Sequence, residues 1–255
     1  MTIIHKRLEA ARYRVLPAKP YYRVRAWRAY LRCRHYAEPE IRLLKRLVDP
    51  ARTSVDVGAN KGVYTYFLSR LSAHVFAYEP NPKFTPILTP VVGPKVTLIE
   101  AALSDRDGEA TLTIPINRKG ESNNAASLVS GKYGGELKQI TVAVRRLDHA
   151  GHPDVGFVKI DVEGHEEGVI RGAAATLEEQ RPTLLVEIET FHRNQDIRQT
   201  FALIGSFGYR GYMLLGGRLT SVDRFSAQEH QLGPRQGSGG QYVKNFIFLP
   251  DERAL

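Results

Sequence analysis

The residues best suited to chemistry are carboxylates that close short apolar runs. The sequence VDVGANKG places Asp56 within such a run and glycines at 58 and 62 directly after it. Apolar residues then recur at four-residue spacing over 63–71, as one face of a helix requires. The predicted order is strand, tight turn and helix. The glycines let a ligand approach the backbone closely, and the start of the helix offers N–H groups to it.

A second acid, Glu79, ends the next predicted strand. In an open α/β sheet an acid at this place binds the hydroxyls of a ribose, so an adenosine cofactor is expected. A dinucleotide loop reads GxGxxG, which leaves bare backbone for a pyrophosphate, whereas Asn60 stands at the middle glycine here. The loop therefore favours S-adenosylmethionine over a nicotinamide dinucleotide, which is the alternative. A tight turn without a ligand would explain the glycines but not Glu79.

Length and composition favour one large domain. A chain of 255 residues with 42% hydrophobic residues can bury a substantial core, and two full domains are not expected. No apolar run approaches the roughly 20 residues that a membrane span needs, and residues 1–12 lack the apolar core of a secretory signal. The expected location is therefore cytoplasmic. The one cysteine, Cys33, excludes an internal disulfide and a cysteine-rich metal site.

The positive charge is concentrated near the start of the chain. Residues 1–52 hold fourteen Lys or Arg against four acids, a net +10, so the other 203 residues sum to −1. Arginines alternate with aromatic residues over 21–36, a mixture suited to nucleic acid, an anionic membrane surface or a phosphate-bearing acceptor. A solvated helical extension that packs its aromatic side chains on the main domain explains the same composition. We therefore expect a basic, aromatic extension, 1–37, and a main domain, 38–255.

The main domain alternates strands and helices with some irregular stretches. Five prolines in the sixteen positions 80–95 predict that the helix there is short or broken. The run VTLIEAAL, 96–103, predicts a third buried strand, and the runs 110–115 and 140–148 predict a small antiparallel addition. Between these last two runs, residues 117–135 are rich in Gly, Ser and Asn, and a loop of this length is more often a lid or binding element than a linker.

Polar groups also follow later predicted strands. The ends of three of them carry Ser104 with Asp105, Asp161 with Glu163, and Glu187 with Glu189. Ligands of open parallel sheets bind beyond the carboxyl ends of the strands, where such groups converge. Each acid taken alone also suits a helix N-cap or a turn. A short helix ending near Gly172, a helix over 197–207 ended by Gly208, and a last strand YVKNFIFLP complete the predicted pattern.

The motifs VDVGANKGVYT, YEPNP, AALSDRDGEATL, VRRLD, KIDVEGHEEGVIRG, LLVEIE and NFIFLP, in this order, resemble the FkbM family of S-adenosylmethionine-dependent methyltransferases. The resemblance covers roughly residues 38–250, and KIDVEGHE is its most specific part. It implies a Rossmann-like, seven-stranded, mostly parallel sheet whose last strand is antiparallel. It also implies methyl transfer to a hydroxyl oxygen, frequently on a sugar, a glycolipid or a natural product.

The resemblance further implies roles for individual residues. Glu79 would bind the ribose hydroxyls, and Ser104 with Asp105 would lie near the adenine. Asp161 would face the sulfonium and orient or deprotonate the acceptor hydroxyl, with His165 and Glu187 behind it. The methionine portion of the cofactor would be surrounded by Asp56, Gly58, Ala59, Asn60 and Gly62.

Several alternatives stay open at this stage. Asp161, His165 and Glu187 could instead bind a divalent cation that lowers the pKa of the acceptor. The acceptor could be RNA or protein held by the basic extension, or the chain could be a non-catalytic binding protein on a methyltransferase scaffold. The sequence leaves the acceptor, the methylated position and the oligomeric state undetermined.

Overall fold

The computed structural model describes residues 38–89, 93–117, 120–122, 126–129, 131–190, 196–237 and 239–253, so the predicted extension 1–37 lies outside the described residues. The strands, in chain order, are β1 (Thr53–Val57), β2 (His74–Tyr78), β3 (Val96–Ile99), β4 (Ala102–Leu103), β5 (Gly108–Asn117), β6 (Gly120–Glu121), β7 (Leu137–Arg145), β8 (Val155–Ile160), β9 (Thr183–Glu187), β10 (Tyr209–Leu215), β11 (Arg218–Ser221) and β12 (Asn245–Pro250).

The main sheet has eight strands in the order β11-β10-β12-β9-β8-β1-β2-β3. The five strands from β9 to β3 are parallel, and β12 runs antiparallel between β9 and β10. The predicted mostly parallel α/β sheet with an antiparallel last strand is confirmed. The expected count of seven strands is exceeded by one, because Gly216 and Gly217 adopt φ of +55° and +78° and turn the chain into the hairpin β10–β11.

The small second sheet has the order β4-β7-β5-β6. Its β5 and β7 are antiparallel, as predicted, and they pack Leu112, Ile114 and Val142 together. The predicted single strand 96–103 is divided in the structure: β3 joins the main sheet, whereas Ala102 of β4 pairs with β7. Alternating apolar residues alone did not reveal that division.

The helices are short. They are α1 (Leu44–Leu47), α2 (Val63–Leu71), α3 (Thr85–Leu88), α4 (Glu166–Arg171), α5 (Arg198–Gly205) and α6 (Gly233–Arg235), with 3₁₀ turns at Pro39–Leu43, Leu147–His149 and Val222–Arg224 and π turns at Thr176–Gln180 and Gln228–Leu232. The four-residue α3 confirms the broken helix expected from the prolines. Gly172 follows α4, and Gly208 closes the turn after α5 with φ of +75°, both as predicted.

The central strands are buried on both faces, which is why they read as nearly continuous apolar runs. Val57 and Ile160 face one core cluster with α4 and α5, whereas Phe157 and Leu185 face the other with α1 and α2. This packing fixes the carboxyl ends of the parallel strands along one edge of the sheet. Within the part of the chain that the structure describes, no helix is both long and apolar enough to cross a membrane.

Candidate functional site

The turn between β1 and α2 is built on two glycines with left-handed backbone. Gly58 has φ of +80°, and its N–H and that of Ala59 each donate to the carbonyl oxygen of Tyr78 at 3.0 Å. A Cβ on Gly58 would lie 1.9 Å from the carbonyl oxygen of Asp161. Gly62, with φ of +77°, starts α2. The sequence explained Gly58 by ligand approach, and the structure adds a second cause, the close packing of two strand ends.

Asp56 ties β1 to α2. Its Oδ2 accepts a hydrogen bond of 2.6 Å from the hydroxyl of Thr65 in the first turn of the helix, and the residue is 2% exposed. Burial raises the pKa of Asp56 to about 6, although the Thr65 hydrogen bonds act in the opposite direction. The carboxylate therefore fixes the shape of the loop from within, and its predicted contact with the cofactor stays a prediction.

Glu79 joins the loops after β1 and β2. Its Oε2 accepts the N–H of Asn60 at 2.7 Å, and its Oε1 accepts the N–H of Asn81 at 2.9 Å. Asn60 adopts φ of +49°, which brings its N–H into this contact. Burial raises the pKa of Glu79 to about 7, although these N–H groups pull it down. Each carboxylate oxygen has a second lone pair, so the group can still accept hydrogen bonds from a ligand.

Asn81 is a candidate site residue that sequence reasoning missed. It is 2% exposed, and its Nδ2 is buried without a hydrogen-bond partner among the described residues, while its Oδ1 accepts the N–H of Lys83 at 3.1 Å. A buried donor without a partner is costly unless a ligand or water satisfies it. The motif YEPNP contained this residue, and its position two residues after Glu79 was the available signal.

Ser104 and His165 contact each other. The Ser104 hydroxyl lies 2.9 Å from Nε2 of His165 and 3.1 Å from Oδ1 of Asp105. Gly168 leaves room for the imidazole, because a Cβ there would lie 2.5 Å from Nε2. The structure thus places His165 between α4 and the loop after β4. The catalytic role expected for His165, and the adenine contacts expected for Ser104 and Asp105, stay predictions.

Asp161 follows β8 and is half-buried at the carboxyl edge of the sheet. Its N–H donates to the carbonyl oxygen of Val57 at 3.0 Å. None of the described residues donates a hydrogen bond to its carboxylate. Burial, followed by repulsion from Glu187, raises the pKa of Asp161 well above its ordinary value, whereas Lys159 and Lys244 act to lower it. A carboxyl group with this environment at a sheet edge is a candidate general base.

Glu187 ends β9, and its partner is Lys244, which sequence reasoning missed. The Lys244 Nζ lies 2.8 Å from Oε2 of Glu187 and 3.6 Å from Oε1 of Glu38. Because β12 is antiparallel to β9, the residue before β12 arrives at the same edge as the end of β9. The antiparallel last strand was predicted, so this placement of Lys244 could have been inferred from it.

Lys159 is a second missed residue, and it is 1% exposed. Its Nζ contacts Oδ1 of Asn245 at 3.3 Å and lies 5.0 Å from the centre of the Tyr64 ring. Asn245 in turn contacts Oε2 of Glu40 at 3.5 Å, and burial raises the pKa of Glu40 to about 7. In the sequence, Lys159 interrupts an apolar run and gives no sign of a partner. The fold shows that it is buried and interacts electrostatically with the buried acids Glu40 and Asp56.

The described part of loop 117–135 packs on the loop that follows Asp161. The Ser127 hydroxyl donates to the carbonyl oxygen of Glu163 at 2.8 Å, and Lys132 Nζ contacts that oxygen and also Oε2 of Glu163 at 3.2 Å. Glu163 adopts φ of +55°, a conformation that persists only when its surroundings enforce it. The Tyr133 hydroxyl is buried and has no hydrogen-bond partner within the part of the chain that the structure describes. Ser127 and Lys132 therefore lie against the segment that follows Asp161.

The structure does not bring Asp161, His165 and Glu187 together as metal ligands. Among the described residues, no group of three His, Cys, Asp or Glu side chains is arranged to hold a metal ion. His165 contacts Ser104, and Glu187 is paired with Lys244. The three-ligand cation site considered from the sequence is therefore not formed among the described residues, because His165 and Glu187 have other partners.

Two known proteins are similar in sequence to about two thirds of this chain. The chain is 27% identical over 188 residues to the 2-O-methyltransferase NoeI of Sinorhizobium fredii, covering 65% of this chain and 76% of that protein. It is 30% identical over 175 residues to the hexuronic acid methyltransferase AglP of Haloferax volcanii, covering 66% of each.

A solved structure shares the fold. The methyltransferase FkbM from Methylobacillus flagellatus KT aligns with a TM-score of 0.53 at 15% identity over 84% of this chain. The present chain spans 46% of that larger one. Residues 56–211 match the family described as the methyltransferase FkbM domain, which is more than half of the chain. The protein therefore belongs to the FkbM family and is an S-adenosylmethionine-dependent methyltransferase.

Proposed function

We propose that the protein transfers a methyl group from S-adenosylmethionine to a hydroxyl oxygen of a sugar, as part of a glycan, a glycolipid or a related small molecule. The observation that carries this proposal is the Asp161 carboxylate, which receives no hydrogen bond from the described residues and belongs to a residue whose backbone carbonyl packs against Gly58 at the sheet edge. The name of NoeI, a 2-O-methyltransferase, supports an oxygen atom as the acceptor, and the name of AglP, a hexuronic acid methyltransferase, supports a sugar.

The loops after β1 and β2 fit the cofactor. The unpartnered Nδ2 of Asn81 is a donor suited to the adenosine, and the Glu79 carboxylate retains lone pairs for the ribose hydroxyls. Residues 58–62 would surround the methionine portion, and Ser104 with Asp105 would border the adenine. When bound, S-adenosylmethionine supplies a methyl group already activated by a sulfonium.

Asp161 acts as the base in this proposal. The acceptor oxygen forms a bond to the methyl carbon while that carbon's bond to sulfur breaks, with its electron pair passing to sulfur. The hydroxyl proton passes to the Asp161 carboxylate and from there to water. A base within hydrogen-bond reach accelerates such a step by about 10²–10⁴-fold, and alignment of the two reactants contributes further.

The groups around Asp161 suit a polyhydroxyl acceptor. Two ion pairs, Glu163 with Lys132 and Glu187 with Lys244, have carboxylates that act electrostatically on Asp161. The Tyr242 hydroxyl donates a hydrogen bond to Oε1 of Glu189. Lys132 interacts electrostatically with Glu189, and Lys244 interacts electrostatically with Tyr242. Carboxylates, amines and phenols in alternation offer both acceptors and donors, as several adjacent hydroxyls require.

The test is transfer of labelled methyl from S-adenosylmethionine to fractionated glycans, glycolipids, RNA and protein of the source cell. Label in a saccharide, resistant to alkaline hydrolysis as a methyl ether is, supports the proposal, and Asp161→Asn should lower the rate of labelling by about 10²–10⁴-fold. Label confined to RNA or protein would overturn the sugar acceptor and favour use of the basic segment 1–37. In that case binding of the acceptor RNA should also weaken steeply with salt.

A further inference from the structure

Lys244 occupies a fixed position at the acceptor side of the sheet. Its carbonyl oxygen accepts the N–H of Ile188 at 2.8 Å, and the next residue, Asn245, pairs with Glu187 across β12 and β9. The backbone of Lys244 is thus held by the continuation of the strand ladder beyond β9. A side chain on such a backbone has few directions available, so its contacts are set by the fold.

The amine of Lys244 is shared between two carboxylates. It lies 2.8 Å from Glu187 Oε2 and 3.6 Å from Glu38 Oε1, and the exposed fractions of the three side chains are 28%, 11% and 16% for Lys244, Glu187 and Glu38. Burial lowers the pKa of Lys244, but the two carboxylates outweigh it and hold the pKa above its ordinary value. Lys244 therefore remains charged throughout the range in which the enzyme works.

Four charged side chains act electrostatically on Asp161. Ile160 of β8 pairs with Val186 of the parallel β9, so the next residues of the two strands, Asp161 and Glu187, are adjacent in register at this edge of the sheet. The other three are Glu163 from the loop after β8, Lys159 from β8 and Lys244 from the residue before β12. Two carboxylates oppose ionisation of Asp161, and two ammonium groups favour it. The two cations differ in their contacts. Lys159 contacts Asn245, whereas Lys244 contacts Glu187, the carboxylate that repels Asp161 more strongly.

We propose that Lys244 is a positioning residue for methyl transfer: its ion pair compensates the charge of Glu187, so that Asp161 can be ionised beside Glu187 and accept the proton of the acceptor hydroxyl. This inference rests on the proposed function, because it assigns a task to a residue of the same site. Lys244 acts through Glu187 and Asp161 and has no bond to form or break.

Removing the amine should move the ionisation of Asp161 to higher pH. In Lys244→Met, Glu187 remains buried without its closest cation and repels a charge on Asp161 more strongly. We expect the acidic limb of kcat/KM to shift upward by about one pH unit, with about a tenfold loss at pH 7 that narrows as the pH rises. Lys244→Arg keeps the charge and should keep the limb of the wild type.

The control variant is Lys138→Met. Lys138 forms a 2.7 Å ion pair with Glu121 in the small sheet, so its loss removes a comparable pair away from Asp161. It should leave the pH profile unchanged. Thermal unfolding and calorimetry with S-adenosylhomocysteine check that Lys244→Met is folded and binds within about threefold of wild type, since the change spares the contacts of Glu79.

A direct titration separates this inference from the proposed function. In protein labelled with ¹³C at the aspartate carboxyl groups, the Asp161 signal is assigned as the one missing from Asp161→Asn, and its pKa is read without any acceptor. A higher pKa in Lys244→Met than in wild type and Lys244→Arg supports the inference even if no sugar is methylated. An unchanged pKa, or a pH-independent loss of rate in an enzyme that does methylate sugars, would overturn it.

Discussion

The two halves of the site are stabilised in different ways. In the cofactor loops after β1 and β2, the acids accept hydrogen bonds from neighbours in sequence: Thr65 lies 9 residues from Asp56, and Asn60 lies 19 residues from Glu79. On the proposed acceptor side, around β8, β9 and β12, the contacts are ion pairs and hydrogen bonds of side-chain amides between segments that are distant in sequence. Glu187 is 57 residues from Lys244, and Asn245 is 205 residues from Glu40.

Under the proposed function, this difference predicts which side of the site controls cofactor binding and which controls turnover. Loops closed by their own backbone can hold a shared ligand in the same way in many related chains. Side chains gathered from several segments can change without disturbing the fold, which suits the part of the site that meets a variable acceptor. Variants on the first side should therefore change cofactor affinity, and variants on the second should change turnover or acceptor binding.

The largest effect is expected from Asp161→Asn. The amide cannot accept the hydroxyl proton, so kcat should fall by about 10²–10⁴-fold. Because Asp161 stands on the acceptor side of the comparison, affinity for S-adenosylhomocysteine should stay within about threefold of wild type. Steady-state kinetics and calorimetry measure the two quantities. Equal losses in kcat and in affinity for S-adenosylhomocysteine would contradict the proposed division between a cofactor side and an acceptor side.

Gly58→Ala should cause the next largest effect, on the fold as well as on the cofactor. The new Cβ would lie 1.9 Å from the Asp161 carbonyl oxygen, so the strand ends must separate. We expect a loss of about 2–4 kcal/mol in the free energy of unfolding, measured by urea denaturation. Gly217→Ala is the matched control, since its φ of +78° resembles that of Gly58 but its Cβ would meet open space. It should lose only about 1 kcal/mol. Similar losses in the two variants would show that the carbonyl contact is unimportant.

Glu79→Gln tests the cofactor side through the pH dependence of the affinity for S-adenosylhomocysteine. The pKa of about 7, raised by burial, means that the carboxyl is mostly protonated at about pH 6 and mostly ionised at about pH 8. Ribose hydroxyls donate best to the ionised form, so the affinity of wild type for S-adenosylhomocysteine should rise across this interval. The glutamine variant should bind about 1–3 kcal/mol more weakly at pH 8. Its affinity should be nearly independent of pH, and calorimetry at several pH values checks both points.

The smallest effect is expected from Ser127→Ala, on the wall of the acceptor side. The variant loses the hydrogen bond to the Glu163 carbonyl oxygen, while Lys132 keeps its contact with that oxygen. The acceptor KM should rise by about two- to tenfold with little change in kcat, because about 1 kcal/mol of loop stability is lost. Ser206→Ala removes a comparable 2.7 Å bond within the exposed turn after α5 and serves as the control. A change in cofactor affinity rather than acceptor KM would contradict the assignment of this loop.

The sequence predicted the structure of the loops after β1 and β2 well because their determinants are local. A strand, two glycines and an acid at the next strand end describe the loops almost completely, and the prolines after Glu79 indicated the short α3. Local pattern also predicted the antiparallel pair β5–β7. What it missed nearby, such as the unpartnered Nδ2 of Asn81, depends on side-chain direction within a turn.

The acceptor side was only partly predictable for a physical reason. Asp161 and Glu187 could be placed at one edge because parallel strands end together. Lys244 required the antiparallel register of β12, and Lys159 required knowledge that a buried lysine has Asn245 as a partner. His165 was expected behind Asp161, but the direction of its ring depends on the space that Gly168 leaves. Such details arise from tertiary packing and have no periodic signature.

The contact between Gly58 and the Asp161 carbonyl has a consequence for engineering. The loop proposed to surround the donor and the strand end that carries the proposed base pack closely at Gly58, and β1 and β8 are neighbouring strands there. A loop widened to admit a sulfonium with a larger alkyl group would push directly on the segment that must receive the proton. Broader donor tolerance and fast transfer therefore compete in this scaffold, and compensation should be sought in residues 161–164 rather than in the donor loop.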